Sequence, residues 1–349
     1  MPAAAPLPPV VPAYGALRGV ADAATALAGA RIDAVLAVVV STLGEVRRKR
    51  GALALLDGRG VRAGTLAGGG VEPHLEAAAQ SVLASRRAGA VTIADDADDG
   101  PSAAAPGDAR NTLQVVLLPM PAPASSLREA MATACAGGAW LRLRIGLGAD
   151  DPATRELGRG EARTGSKIFA FDDCGLPCAG PLTFERHVSL AFAPPPRIAL
   201  FGAGPETSAL ARMARLLGWY VDVVEWRERG SAYVDHANVD RHHALAPDAM
   251  PALIAASHYD AAIVASHDFA VDARFLHHLG GVGIGYVGLV GSPERRDALL
   301  ASLGDIVATQ LEPRLYAPAG LRLGGEGPES VALSIIAQLQ HYLAHDAHA

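Results

Sequence analysis

Four short stretches carry residues whose types and spacing can do chemistry. In LAGGGVEPHLE, residues 66–76, Gly68, Gly69 and Gly70 run into Glu72, Pro73 and His74. Three successive glycines allow a tight turn, and they also let a ligand touch backbone N–H groups. A third reading is the remains of a site that once held a side chain, and all three stand on sequence alone. In LFGAGPETSALA, residues 200–211, Gly202 and Gly204 have the spacing of a phosphate-binding turn. ASHDFAVD carries Ser266, His267 and Asp268, and VGSPERR carries Gly291 and Ser292. His267 and Asp268 can hydrogen-bond or exchange protons with a bound ligand; the alternative is a loop histidine beside a solvated acid.

The elements around these residues decide where they stand. RIALFGAGPETSALARMARLLGWYVDVVEWRERG, residues 197–230, reads as a strand (Ile198 to Phe201), a glycine turn, a helix and a second strand. Leu210, Met213 and Leu217 share one face of that helix. The second strand, Tyr220 to Val224, ends at Glu225, where an acid about 20 residues past the glycines binds ribose hydroxyls in dinucleotide folds. Two details disfavour NAD(P). Thr207 replaces the third glycine, and Glu206 lies in the first helical turn. There its charge competes with a phosphate for the positive helix end, or simply points to solvent. Two further strands should end at Ser266–Asp268 and at Gly291–Ser292, with Ser292 as N-cap, Pro293 at the first helical position and Glu294 in the first turn. All these groups then fall at the carboxyl ends of parallel strands, the edge where open α/β sheets hold ligands. A last helix after Pro328 has Ala332, Ile335, Ile336, Leu339 and Leu343 as its buried stripe.

In the first half, RIDAVLAVVVST (31–42) reads as a buried strand, and a hairpin turning at Asp57-Gly58 follows. VEPHLEAAAQSVLASRRAG reads as a helix ending in Arg86-Arg87, with Gly89 as its stop. The three glycines thus sit at a strand-to-helix junction. Residues 94–111 read as an exposed loop of acids, Pro, Gly and Ala.

The totals set outer bounds. A chain of 349 residues implies two domains, and Pro194-Pro195-Pro196 is the clearest seam. A net charge of −6 gives no basic footprint for nucleic acid. No apolar run reaches membrane-span length, and the N-terminus lacks the pattern of a signal peptide, so a soluble cytoplasmic protein is expected. Cys135, Cys174 and Cys178 are too few for a disulfide framework. Cys174 and Cys178 have poor zinc spacing and read as ordinary buried thiols. His341, His345 and His348 have helical spacing, but a fraying terminus offers no enclosed metal site. No GxSxG, HExxH or GxxxxGK[ST] pattern is present.

LFGAGPETSALA, VVEWRERG, ASHDFAVD, YVGLVGSPERRDAL and PAGLRLGGEGPESVALSIIAQL, in that order, together resemble the XdhC/CoxI family. VVVSTLGEVRRKRGALALL and LAGGGVEPHL extend the likeness into the first half. The resemblance implies an α/β fold: a flexible arm over 1–15, an N-terminal XdhC/CoxI-type α/β domain over 16–193, a proline linker at 194–196, and a C-terminal Rossmann-like doubly wound parallel-sheet domain over 197–349. It implies an accessory chaperone, more than a catalyst, for molybdenum hydroxylases of the xanthine dehydrogenase type. Such proteins bind the molybdenum cofactor (molybdopterin) while its terminal sulfur is installed and hand it to the apo-enzyme. The implied partners are a cysteine desulfurase and the large subunit of the hydroxylase, and the usual state is a homodimer. The cofactor-binding candidates are Arg48, Gly68, Gly69, Gly70, Glu72, Gly202, Gly204, Glu225, Arg227, Ser266, His267, Asp268, Gly291 and Ser292. No catalytic or metal residue is assigned.

The departures from the family pattern are specific. Gly70 takes the thiol position of a GGC-x-E motif, with Glu72 in place of the motif's acid. Ala109-Arg110-Asn111 stands for a CGG, and Glu45 and Arg47 stand for the Ser and Pro of GSxPR, whereas Arg48 matches. A pterin phosphate would then rest on glycine N–H groups and on cations such as Arg48. Two other readings remain: an NAD(P)-dependent oxidoreductase, resting on Gly202, Gly204 and Glu225, and a ligand-free scaffold that only binds partners.

Overall fold

The computed structural model describes residues 16–44, 50–66, 71–94, 111–122, 124–148, 157–179, 182, 184–227 and 234–345. The N-terminal arm, Glu45, Arg47, Arg48, Gly68, Gly69, Gly70, Ala109, Arg110, His348 and nearly all of 94–111 lie outside them. The chain divides into two compact units between Pro194 and Pro195.

In the N-terminal unit, α1 (Ala16–Gly29) precedes β1 (Ala34–Leu43), β2 (Leu53–Asp57) and β3 (Gly60–Gly64). Then come α2 (Glu72–Ser85), β4 (Gly89–Ala94), β5 (Thr112–Met120) and α3 (Ser126–Gly137). The five strands form one antiparallel sheet in the order β3-β2-β1-β5-β4. Val35, Ala37 and Val39 of β1 and Leu113, Val115 and Leu117 of β5 pack with Leu75, Ala79 and Val82 of α2. Leu36 and Val38, on the opposite face of β1, are buried as well. Burial on both faces is why β1 reads as an unbroken apolar run. A second antiparallel sheet, β8-β7-β6-β9, holds β6 (Leu141–Gly146), β7 (Gly160–Thr164), β8 (Lys167–Phe171) and β9 (His187–Phe192).

The hairpin forms as expected, with Asp57 opposite Gly60 and the Arg59 N–H bonded to Asp57 Oδ1 at 2.7 Å. The end of α2 differs from expectation. The helix stops at Ser85, and the left-handed cap is Arg86 (φ 56°), not a glycine. Gly89 instead opens β4, where a Cβ would stand 3.1 Å from Val82.

The C-terminal unit alternates strands and helices: β10 (Arg197–Phe201), α4 (Pro205–Leu216), β11 (Tyr220–Glu225), β12 (Arg241–Ala244), α5 (Met250–Ala256), β13 (Ala261–Val264) and α6 (Phe269–Gly280). It continues through β14 (Tyr286–Leu289), α7 (Pro293–Leu303), α8 (Asp305–Leu311), β15 (Leu315–Tyr316) and α9 (Pro328–His345). Every strand pair is parallel, in the order β12-β11-β10-β13-β14-β15. This is the doubly wound Rossmann arrangement, and strand order reverses between β10 and β13. One face packs under α4 and α9 around Leu200, Leu210, Trp219 and Ile335; the other packs under α6 around Phe201, Val264 and Phe275. The buried stripe of α9 is Ala332, Ile335, Ile336, Leu339 and Leu343, as its spacing predicts. Among the described residues no helix is long and apolar enough to cross a membrane.

Leu339 is fully buried in the first of these clusters, whereas Leu333, on the same helix, is 52% exposed. Leu339→Ala should destabilise the unit by about 2–5 kcal/mol, and Leu333→Ala should stay within about 0.5 kcal/mol. Urea unfolding followed by Trp219 fluorescence, with Trp140 and Trp226 replaced by Phe, measures both.

Candidate functional site

The carboxyl edge of the parallel sheet brings the glycine turn and the Ser266–Asp268 loop together. Gly202 has φ +106°, and a Cβ there would lie 2.5 Å from Ser266 Cα and 2.6 Å from Ala265 O. Only glycine lets the ends of β10 and β13 approach this closely. Gly204 is different, because a Cβ there would meet only the Glu206 carboxylate, at 3.5 Å.

The backbone donors of residues 202–204 are all satisfied from within the chain. Gly202 N–H donates to Val224 O at 2.8 Å. Ala203 N–H donates to Glu225 Oε2 at 2.7 Å. Gly204 N–H donates to Thr207 Oγ1 at 2.7 Å, and that hydroxyl donates back to Gly204 O at 2.9 Å. Pro205 has no N–H. A phosphate at a helix N-terminus needs such donors free. Thr207, at the third-glycine position, therefore acts as a cap built into the turn.

Glu225, at the ribose position, is fully buried. Besides Ala203, its carboxylate accepts the Arg227 N–H (2.8 Å), Nε (2.9 Å) and Nη2 (2.9 Å). Arg227 Nη2 also donates to Ala203 O at 3.0 Å. These donors fill the roughly four acceptor positions of a carboxylate, so none remains for a ribose hydroxyl. Burial pushes the Glu225 carboxyl up, but the bonds from Arg227 and Ala203 outweigh it and hold its pKa below the ordinary value. Glu206 folds back beside Gly204 and reaches His267 Nε2 at 3.6 Å. Its charge stays at the positive end of α4, and His267 adopts a left-handed conformation (φ 61°).

The remaining edge candidates are structural as well as positional. Asp268 Oδ1 caps α6 by accepting Val271 N–H at 3.0 Å, and Ser292 Oγ caps α7 by accepting Arg295 N–H at 3.2 Å. Gly291 leaves room for Arg295, whose Cδ would be 2.8 Å from a Cβ there. Ser266 bonds to Asp272, which is fully buried and paired with Arg295 at 2.7 Å. Sequence reasoning missed Asp272 and Arg295. The available signal was an acid on the apolar face of α6, among Val271, Phe275, Leu276 and Leu279. Glu72 lies in the N-terminal unit, exposed in the first turn of α2.

The thiols divide differently from the expectation of ordinary buried cysteines. Cys135 is buried, and burial, then the charge of Asp22, pushes its pKa up to about 12. Cys174 and Cys178 are only half-buried, because they stand in the loop after β8 and not in a core. Ligand atoms of Asp172, Asp173 and Cys174 lie within 4.8 Å of one another. Asp172, however, accepts the Cys174 and Leu176 N–H groups, and Asp173 pairs with Arg87 at 2.7 Å. His341 and His345 stack at 4.7 Å along the surface of α9, with His345 Nδ1 3.0 Å from His341 O.

Comparison with known proteins gives matches in both units. The XdhC and CoxI family model matches residues 27–94, and the XdhC Rossmann domain model matches residues 198–339. A Bacillus subtilis protein described as a probable xanthine dehydrogenase component is 33% identical over 146 residues, 42% of this chain and 42% of that protein. An uncharacterised protein, YqeB, from Escherichia coli is 28% identical over 170 residues, 48% of this chain and 30% of that protein. The chain thus aligns with less than half the length of these curated relatives. A crystal structure described as a xanthine dehydrogenase from Bacillus halodurans covers 93% of this chain and 96% of its own, with TM-score 0.70 and 24% identity. That likeness is one of fold.

Glu225→Gln should destabilise the protein by about 1.5–3 kcal/mol at neutral pH, the usual worth of bonds to a charged partner. Because the folded pKa is depressed, this stabilisation is present above the unfolded carboxylate value and is lost as pH falls through the folded one. The parent–variant difference in denaturation midpoint should therefore shrink in acid; a constant difference would contradict the role. Iodoacetamide at mildly alkaline pH should label Cys174 and Cys178 in the folded protein and leave Cys135 unmodified until denaturant is added, as peptide mass mapping would show.

Proposed function

The chain belongs to the XdhC and CoxI family, and on that premise we propose that it is an accessory protein in the maturation of a molybdenum hydroxylase of the xanthine dehydrogenase type. The observation that carries the reading is the pair of family matches, one in each unit and in chain order. The name of the Bacillus subtilis relative, a probable xanthine dehydrogenase component, supports the same client class. The filled glycine turn favours this reading over an NAD(P)-dependent oxidoreductase, since Ala203, Gly204 and Glu225 already bond within the chain.

The molybdenum cofactor is the proposed transient ligand. The proposed partners are a cysteine desulfurase and the large subunit of the hydroxylase, with a homodimer as the working state. These finer parts rest on the resemblance alone. In this chain Gly70 occupies the expected thiol position and Glu72 keeps its place. Retention of a pterin would therefore depend on backbone N–H groups and cations, with no thiolate from that motif. When bound, the cofactor supplies the redox metal of the hydroxylase; this chain's share is to hold and release it.

Producing the client hydroxylase with this chain deleted should leave its protein level unchanged and its activity low. Adding the purified chain with molybdenum cofactor should restore activity. Full hydroxylase activity without the chain would overturn the proposal.

A further inference from the structure

A cavity of about 350 Å3 opens in the N-terminal unit, lined by residues of β1, α2, β5 and the loop after β8. Its floor is apolar, with Val35, Val82 and Met120 all buried. That volume lies in the range of small-molecule sites, which combine an apolar bed with a few placed polar groups.

One wall is the 172–176 loop, and it is pinned on both sides. Asp172 Oδ1 accepts the N–H groups of Cys174 and Leu176, each at 2.9 Å. Gly175 has φ +74° and passes so close to β5 that a Cβ would fall 2.0 Å from Pro119 O. On the other side, Asp173 O accepts Ala88 N–H at 2.7 Å, and its carboxylate pairs with Arg87. A wall held in this way does not collapse onto the apolar floor.

Asp33, Arg86 and Cys174 also line the cavity, with Arg86 exposed and the other two half-buried. Asp33 Oδ1 accepts Ala122 N–H at 2.9 Å, and its second oxygen has no partner among the described residues. The Arg86 guanidinium also has no partner among them, although its backbone is fixed as the left-handed cap of α2 by a bond to Val82 O. The two opposite charges line one cavity without pairing with each other. An aromatic ring would gain from the desolvated floor, an anion from the guanidinium, and an N–H donor from the open carboxylate oxygen.

We propose that this cavity binds a small planar heteroaromatic acid, with its ring on the floor, its acid group on Arg86 and its ring N–H on Asp33. The site stands independently of the accessory role, so failure of either leaves the other intact.

The probe is indoleacetic acid titrated into the full chain by calorimetry. Naphthaleneacetic acid serves as the analogue without N–H, and methylindole as the analogue without the acid. Saturable one-to-one binding of indoleacetic acid is expected, with Arg86→Gln weakening it about tenfold, the loss of one charge-assisted bond. Arg86→Lys should recover much of that loss, and Asp33→Asn should narrow the preference for indole over naphthalene. Saturating indoleacetic acid should slow iodoacetamide labelling of Cys174 and leave Cys178 labelling unchanged. No saturable binding of any probe at about millimolar concentration would overturn the proposal. So would binding that Arg86→Gln leaves unchanged while Cys174 labels at its free rate.

Discussion

One buried carboxylate organises the ligand edge of the C-terminal unit. Glu225 closes β11, reaches across to the Ala203 N–H after β10, and draws Arg227 back over the same turn. A fully buried carboxylate is costly unless its acceptors are filled, and here four N–H groups fill them. The turn conformation follows from that demand. It brings Gly202 against Ser266 and leaves Thr207 to satisfy Gly204. In a dinucleotide site these same donors face a pyrophosphate. At this turn a pyrophosphate would compete with the bonds that hold the end of β11 to the end of β10.

The Rossmann architecture is thus retained with its ligand chemistry turned inward. Glu206 at the positive end of α4 and the Asp272–Arg295 pair under the Ser266 loop extend the same pattern. Fold and site separate cleanly: the strand order is that of a nucleotide-binding sheet, while the side chains at its edge serve one another. The N-terminal unit presents the opposite case. Its cavity is walled by a loop pinned through hydrogen bonds, and the Arg86 guanidinium and one Asp33 oxygen lining it have no partner among the described residues.

Much of the fold was legible in the sequence. The strand, glycine turn, amphipathic helix and second strand of residues 197–225 carry their own periodicity, and the α9 stripe follows spacings of three and four. Hydrogen-bond partners were not legible in the same way. Nothing local in PETSAL says that the Thr207 hydroxyl turns back to Gly204, and Asp272 meets Arg295 only because α6 and α7 flank neighbouring strands. Arg86 as a left-handed cap runs against the preference for glycine, so the sequence pattern places the end of α2 later than Ser85. Poor zinc spacing makes Cys174 and Cys178 look like ordinary buried thiols, but the loop's glycine and paired aspartates leave them half-buried.

Amide hydrogen exchange at Ala203 and Gly204, followed by NMR while NADH or NADPH is added, tests the filled turn most directly. Both amides should exchange slowly in the free protein and keep the same rates and chemical shifts as nucleotide is added. Saturable shifts at these amides on adding nucleotide, or fast exchange before it is added, would show that the donors are available to a ligand and contradict the central claim.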